Sequence, residues 1–310
     1  MSSVYASMFA LSFALSPTGL FVGMLGLAVG LGLAAWLVAV EWGAWALVSP
    51  SRRYVGHHPE PHPWESVEDV APDGSKLSGA WRLAGTDRAA ILLHGFGEDR
   101  AAMLGRADAL AEAGWSVLVA DNRAIGRSGG AFVTFGGREV ADLRGWVDLV
   151  AGKLDPAARV ALWGRSMGGA NAVRAAASDP RIAALVLEAP DPDLSQTLAR
   201  LLRSRRLPGS LARPMLRRAG RLARVPVGRS APMLLAPQLS IPACVIHGAN
   251  DPLVPSAEAR RLADAFARPA LYLEVPGARH SDVFEVGGPE LAATVVAFLE
   301  NAVANHPSGV

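Results

Sequence analysis

A single cysteine, Cys244, occurs in the 310 residues. No intramolecular disulfide is available, so the fold must rest on packing alone. Lysine is nearly missing as well: only Lys76 and Lys153 are present, and arginine carries the rest of the positive charge. No charged residue stands between Leu20 and Val40, and no Lys or Arg precedes that run in residues 1–19. Acidic residues are missing from Leu194 to Asn250, where ten arginines stand. No internal repeat and no long low-complexity tract is present, which excludes repeat arrays. What remains is a half-apolar chain with a formal net charge of only +2, unevenly spread. Its length suits one large α/β domain with an appendage.

The uncharged run Leu20–Val40 is 21 residues long. As a helix rising about 1.5 Å per residue it reaches about 30 Å, the hydrocarbon thickness of a bilayer. Trp36, Trp42 and Trp45 gather toward its far end, where an aromatic belt sits, and Arg52 and Arg53 close the segment. The pattern predicts a single-pass anchor within residues 1–52, spanning about 20–40, with residues 53–310 as the folded domain it carries. A cleaved signal peptide is the main alternative, with Ala44-Trp45-Ala46 as its processing site. That reading lacks a basic n-region, and the apolar run is long for an h-region. A buried core helix is the third, against which stands the lack of any polar face. By the positive-inside rule, Arg52 and Arg53 place the domain in the cytoplasm. Residues 57–65, "HHPEPHPWE", read as a stiff linker. Their three histidines lack carboxylate or cysteine support at ligand spacing, so neither metal nor cofactor is expected.

From Trp64 onward the chain alternates regularly. Two strands, about 65–70 and 77–83, flank the turn residues "PDGS". Apolar strands then recur at about 89–94, 115–121, 159–164, 182–188, 243–248 and 271–277. Helical stretches lie near 101–113, 138–152, 167–178, 256–267 and 289–304. Strands that are apolar throughout and separated by helices predict a mostly parallel sheet of eight strands covered on both faces. In such sheets functional residues gather at the carboxyl ends of the strands.

The distinctive motifs fall at those ends. Gly164-Arg165-Ser166-Met167-Gly168 puts a serine on a sharp strand-to-helix corner, where its hydroxyl projects and helix N-terminal amides stand free. His94-Gly95-Phe96-Gly97 follows an earlier strand and offers a tight loop. The amides of Phe96 and Met167 are the candidate oxyanion donors. Asp251 lies just past the strand at 243–248, and His280 lies beyond the last one. Serine, then acid, then histidine is the chain order of an α/β-hydrolase triad. His247 is the rival histidine, read as structural; Glu188 and Asp191 are the rival acids.

On His94-Gly95-Phe96-Gly97, Asp121-x-Arg123…Gly126-x-Ser128, Gly164-x-Ser166-x-Gly168, Asp251 and His280, residues 64–310 resemble the α/β-hydrolase superfamily. They are most similar to its Bem46-like and ABHD-type membrane-anchored serine hydrolases. "RAIG" at 123–126 departs from the Arg-Gly-His/Leu-Gly of many relatives, which bears on the pocket floor and not on the triad. The resemblance implies a serine hydrolase acting on an ester or thioester, lipid acyl groups included. A peptidase, an acyltransferase and a non-catalytic binding protein on the same fold are the alternatives.

The stretch at about 190–240 falls where this fold carries its cap. It is expected as short helical pieces broken at Pro208 and Pro214, mixing Leu, Ala and Arg. Its arginines form either a solvated face paired with acids elsewhere or an attraction for anionic headgroups. Without aromatic stacking residues among them, no nucleic-acid role is expected. Leu198, Leu201, Leu202, Met215, Leu216 and Leu222 either line a pocket entrance or pack the cap onto the core.

Overall fold

The computed structural model describes residues 16–49, 64–228 and 230–304. The three linker histidines lie outside them. Eight strands form one sheet: β1 (Glu65–Val70), β2 (Lys76–Arg82), β3 (Arg88–Leu93), β4 (Ser116–Ala120), β5 (Arg159–Arg165), β6 (Ile182–Glu188), β7 (Ala243–Gly248) and β8 (Leu271–Val275). Their spatial order is β1-β2-β4-β3-β5-β6-β7-β8. β2 runs antiparallel to both β1 and β4, and every other pairing is parallel. The acidic edge strand β1 is largely exposed, whereas β4, β6 and β7 are wholly buried. An edge of charged side chains is poorly suited to pairing with another chain.

Nine helices lie among the described residues. They are α1 (Pro17–Val48), α2 (Leu104–Glu112), α3 (Glu139–Ala151), α4 (Met167–Ala176), α5 (Leu194–Ser204), α6 (Ala212–Ala223), α7 (Pro232–Leu235), α8 (Ser256–Ala265) and α9 (Val283–Ala304). Successive strand residues feed opposite faces of the sheet. Ala89, Ile91 and Leu93 of β3 join Trp146 and Val147 of α3, Val173 of α4 and Leu262 of α8. Ala90 and Leu92 join Leu110 of α2 and Val295 and Leu299 of α9 on the other face. Both faces are therefore covered, as all-apolar strands require.

Three boundaries differ from the sequence reading. Pro214 does not break the cap: it sits in the first turn of α6, where its missing N–H has no intrahelical partner to lose. The last helix begins at Val283, six residues early. Gly288, at φ 59°, separates a first turn from a second segment opened by Pro289. The apolar helix runs on past Val40 to Val48, its start capped by the Ser16 hydroxyl on the Gly19 amide.

α1 is long and apolar enough to cross a membrane, with a mean hydropathy of 2.2 in its most apolar window and 0% of that window buried. Leu20, Phe21, Met24, Leu25 and Leu27 are all exposed. A core helix would have buried them, so that alternative is excluded. Among the described residues, only the carboxyl-terminal turns are buried against the rest of the protein. Val40, Ala44 and Val48, one helical face, are buried against the cap.

Candidate active site

Ser166 occupies the corner between β5 and α4 at φ 50°, ψ −114°, a left-handed setting that a non-glycine residue adopts only when its surroundings force it. Glycine makes the corner feasible. A Cβ on Gly164 would collide with the Gly168 and Gly169 backbone, and one on Gly168 would collide with the Leu93 carbonyl of β3. The Ser166 amide is anchored to the Glu188 carbonyl at 2.8 Å, and its own carbonyl accepts from Ala170 to start α4. The hydroxyl is left to project past the strand end.

His280 meets that hydroxyl. Its Nε2 lies 2.9 Å from Ser166 Oγ, and its Nδ1 lies 2.7 Å from Asp251 Oδ2. The loops carrying acid and histidine hold each other: the Asn250 amide donates to the Ala278 carbonyl at 2.8 Å. Gly248 lets them close up, since a Cβ there would sit 2.6 Å from the Ala278 and Arg279 carbonyls. Asp251 is saturated. Its Oδ1 accepts the Leu253 and Val254 amides, and its Oδ2 accepts His247 Nε2 at 3.2 Å in addition to His280. Burial works against its charge, but the bonds from His247 and His280 outweigh it, so the carboxyl is held well below the usual carboxylate range.

His247 is fully buried and shares its Nε2 between Asp251 and the Val254 carbonyl at 2.8 Å. It braces the acid loop and does not approach the serine, in keeping with the structural role expected of it. The rival acids are engaged elsewhere. Glu188 forms a two-pronged bond to Arg106, at 2.7 and 2.5 Å, beneath the sheet end. Asp191 accepts the Thr197 hydroxyl and the Asp193 amide, and burial pushes its carboxyl up.

The loop His94–Gly97 stands against the serine: a Cβ on Gly95 would lie 3.4 Å from Ser166 Cβ. Met167 is the first residue of α4, where an amide has no partner within the helix. The Phe96 ring stacks on Phe135 with centroids 5.2 Å apart. Around them Ala124, Ile125, Val133, Phe135, Met167 and Leu194 form one apolar cluster. Ala124 and Ile125 belong to the unusual "RAIG" loop, which thus bears on the apolar surroundings of the serine and leaves the three polar residues alone. The loop is set by Asp121, whose carboxylate accepts the Arg100 and Arg127 amides, and by Arg123, clamped on Asp142 and Asp73.

Arg165 and Glu98 were not singled out from the sequence. The Arg165 guanidinium bonds Glu98 through two nitrogens and gives a third bond to the Ser281 carbonyl at 3.2 Å. Glu98 also accepts the Gly95 amide at 3.0 Å. One buried arginine thus ties the Ser166 corner to the His94–Gly97 loop and to the loop that carries His280. The signal was present as opposite charges in the variable positions of two adjoining motifs.

A family model described as serine aminopeptidase, S33, matches residues 85–226. The uncharacterized protein Rv2307c of Mycobacterium tuberculosis is 30% identical over 272 residues, covering 82% of this chain and 89% of that protein. The chain belongs to the α/β-hydrolase superfamily. Among solved structures it is similar to the esterase Pf2001 of Pyrococcus furiosus, with 28% identity, a TM-score of 0.64, and 77% of this chain and 92% of that one covered. A thermophilic esterase from Thermogutta terrifontis shares the fold at 22% identity and a TM-score of 0.57, over 77% of this chain and 99% of its own. This hydrolase therefore keeps the superfamily architecture. The narrower likeness to Bem46-like enzymes rests on the motifs alone.

Proposed function

We propose that this hydrolase is a membrane-tethered serine esterase or thioesterase working through an acyl-enzyme. The observation that carries the reading is the unbroken relay from Ser166 Oγ through His280, 2.9 Å away, to Asp251, 2.7 Å beyond. Serine is a weak nucleophile and needs a base within hydrogen-bond reach. Ser166 Oγ attacks the acyl carbon while His280 Nε2 takes its proton. The carbonyl oxygen becomes an oxyanion held by the Phe96 and Met167 amides, each worth about 3 kcal/mol by comparison with known donors. Collapse breaks the bond to the leaving alcohol or thiol, which departs with the proton from His280. Water then attacks the acyl-serine, His280 accepts its proton, and the carboxylic acid leaves with Ser166 restored. Asp251 keeps the imidazole in the required tautomer and stabilises its cation.

The family description favours a second reading, an aminopeptidase. Such an enzyme must hold a substrate ammonium, and carboxylates are the groups that do so. From Leu194 onward the cap has no acid, and the two that precede it, Asp191 and Asp193, are taken up by the Thr197 hydroxyl and the first amides of α5. Ester hydrolysis is therefore the better reading. Labelling by a fluorophosphonate, followed by rates on p-nitrophenyl esters beside aminoacyl p-nitroanilides, tests both. No labelling overturns the serine mechanism, and faster anilide cleavage overturns the ester preference.

The tether is α1, whose unburied apolar surface suits hydrocarbon as its solvent. Seven exposed arginines on the cap, Arg203, Arg205, Arg206, Arg213, Arg217, Arg221 and Arg224, suit anionic headgroups at about 1 kcal/mol each near such a surface. Arg52 and Arg53 favour a cytoplasmic catalytic domain. Digestion of the domain by protease added outside intact cells would reverse that orientation. Recovery of a mature chain beginning near Ala46 would replace the anchor with a cleaved signal.

A further inference from the structure

The 32 residues of α1 extend about 48 Å at 1.5 Å each, well beyond the 30 Å that hydrocarbon requires. The excess lies at the carboxyl end, and there the helix is built into the catalytic domain. Val40 packs with Leu198, Leu202, Leu211, Ala212 and Met215; Ala44 and Val48 pack with Ala219 and Ala223. Approach is close because the contact residues are small. A Cβ on Gly43 would collide with the end of Met215. Glu41 bonds Arg218 at 2.5 and 2.8 Å, Trp45 meets Phe132 edge-on, and the Val48 carbonyl accepts the Val133 amide at 2.8 Å. Contacts so varied, backbone included, fix the helix to the cap.

Leu47 touches the Val40 cluster and also reaches beyond it. With Leu216 of α6 and Val227 it packs against the cluster of Ala124, Ile125, Val133, Phe135, Met167 and Leu194. Met167 is the residue after the nucleophile, and Phe135 stacks on Phe96. The apolar helix thus contributes a side chain to the packing around the residue that follows Ser166. A tether that only confined the enzyme would have no reason to reach that cluster. Every member is apolar, and seven of the ten cap arginines are exposed, so the cluster suits a hydrocarbon chain and not a charged group.

We propose that the last two turns of α1 form part of the acyl-chain wall of the active site, with Leu47 a specificity-determining residue. The substrate is then an ester of a long-chain acyl group, its chain lying against Leu47, Leu216 and the cluster beside Met167 and supplied from the bilayer alongside the helix. This inference rests on the esterase reading above.

The test uses the full chain in detergent micelles, with active sites counted by fluorophosphonate titration. Rates of kcat/KM are measured on p-nitrophenyl esters from acetate to palmitate. Leu47→Trp narrows the chain site and lowers the laurate-to-acetate ratio by about ten-fold or more, the scale set by a filled or emptied methylene pocket. Leu47→Ala moves the optimum toward longer chains. Leu216→Trp, from the facing helix, lowers the same ratio and keeps the test open should Leu47→Trp fail to fold. Leu25→Trp, on the exposed part of α1, retains the wild-type ratio. Ratios unchanged in both tryptophan variants at positions 47 and 216, with all esters slowed alike, would reduce Leu47 to a structural prop and overturn the proposal. Should the wild type accept fluorophosphonates yet cleave no ester, the esterase reading fails by itself. Labelling rates with short- and long-alkyl fluorophosphonates then judge the wall independently. No reaction with either reagent class overturns both.

Discussion

The strand ends of the sheet and the α1–α6 junction are both dense contacts, but they are built on opposite principles. At the strand ends, position is fixed by hydrogen bonds and by glycines whose absent Cβ lets three loops converge: Gly95, Gly164, Gly168 and Gly248 each stand against neighbouring backbone or side chain. At the junction, position is fixed by small apolar faces, Gly43, Ala44 and Val48 on one helix, Ala219 and Ala223 on the other. The first arrangement is directional and tolerates almost no displacement, as chemistry demands. The second is non-directional and extends over a surface, as the seating of one helix on another demands. Chemistry and placement are therefore separable, and substitutions in the two regions have different signatures.

The largest expected effect is the removal of the nucleophile. Ser166→Ala lowers kcat by about a million-fold with the thermal midpoint retained, and fluorophosphonate labelling disappears. Asp251→Asn follows at roughly ten-thousand-fold, because the imidazole loses the partner that holds its tautomer. This second variant also carries a pH signature. The carboxyl is depressed in the folded protein, so its stabilising contribution is complete above the unfolded value of about 4. It is lost as pH falls through the folded value. The difference between wild-type and Asp251→Asn thermal midpoints accordingly narrows on acidification. A constant difference from pH 7 down to pH 3 would mean that Asp251 acts by shape alone.

Arg165 joins the directional region and sharpens the contrast. Arg165→Met keeps the length of the side chain and removes its bonds to Glu98 and Ser281. Both the oxyanion loop and the histidine loop then lose a common reference. Loosening of this kind costs about a hundred-fold, and it falls on kcat, since acyl-chain contacts remain. A rise in KM at constant kcat would instead place Arg165 in substrate binding.

The contrast also explains what the sequence could reveal. The hydrogen-bonded set Ser166, His280 and Asp251 was legible because each sits on a local backbone requirement: a glycine-flanked corner for Ser166, a strand end followed by proline-stiffened turns for Asp251, a Gly-containing loop for His280. The eight strands were legible because burial on both faces leaves an unbroken apolar run. The cap was legible only as composition. Whether Pro214 ended a helix depended on its falling in the first turn or later, which composition does not encode. Docking of α1 was not legible at all. Gly43 reads as an unremarkable member of an apolar segment and Ala44 only as part of the alternative processing site, and their partners lie about 170 residues away along the chain. Likewise, the six leucines and methionines of the cap divide between roles: Leu198, Leu202, Met215 and Leu222 seat the helix, Leu216 packs on both that seat and the cluster of Met167, and Leu201 stays exposed.

A substitution at the junction should affect placement before chemistry. Gly43→Leu forces a side chain into the space filled by Met215. Overpacking of this sort typically costs 1–3 kcal/mol. The expected result is a lower thermal midpoint for the full chain in micelles and faster proteolysis near residues 50–63. Fluorophosphonate labelling of Ser166 should persist, because no hydrogen bond of the triad involves α1. Loss of labelling together with stability would join the two regions into a single cooperative unit.

The smallest expected effect concerns the charged pair at the same junction. Glu41 is the sole acid in α1, and Arg218 is the only cap arginine bonded to it among the described residues. Both side chains remain substantially exposed, at 46% and 34%, where solvent screens their attraction and side-chain entropy opposes it. If apolar packing seats the helix, Glu41→Gln and Arg218→Gln each leave the thermal midpoint nearly unchanged, and the double variant shows little coupling. The pair then serves register: Glu41 stands between Val40 and Gly43, so its bond to Arg218 disfavours seatings of α1 slid by a turn along α6. Cross-linking of cysteines placed at positions 44 and 219 reads that register directly. Loss of the charge should broaden the set of positions on α6 that cross-link to position 44 while leaving stability intact. A large drop in midpoint with the cross-link unchanged would assign the seating to the ion pair and reverse the division between directional and non-directional contacts.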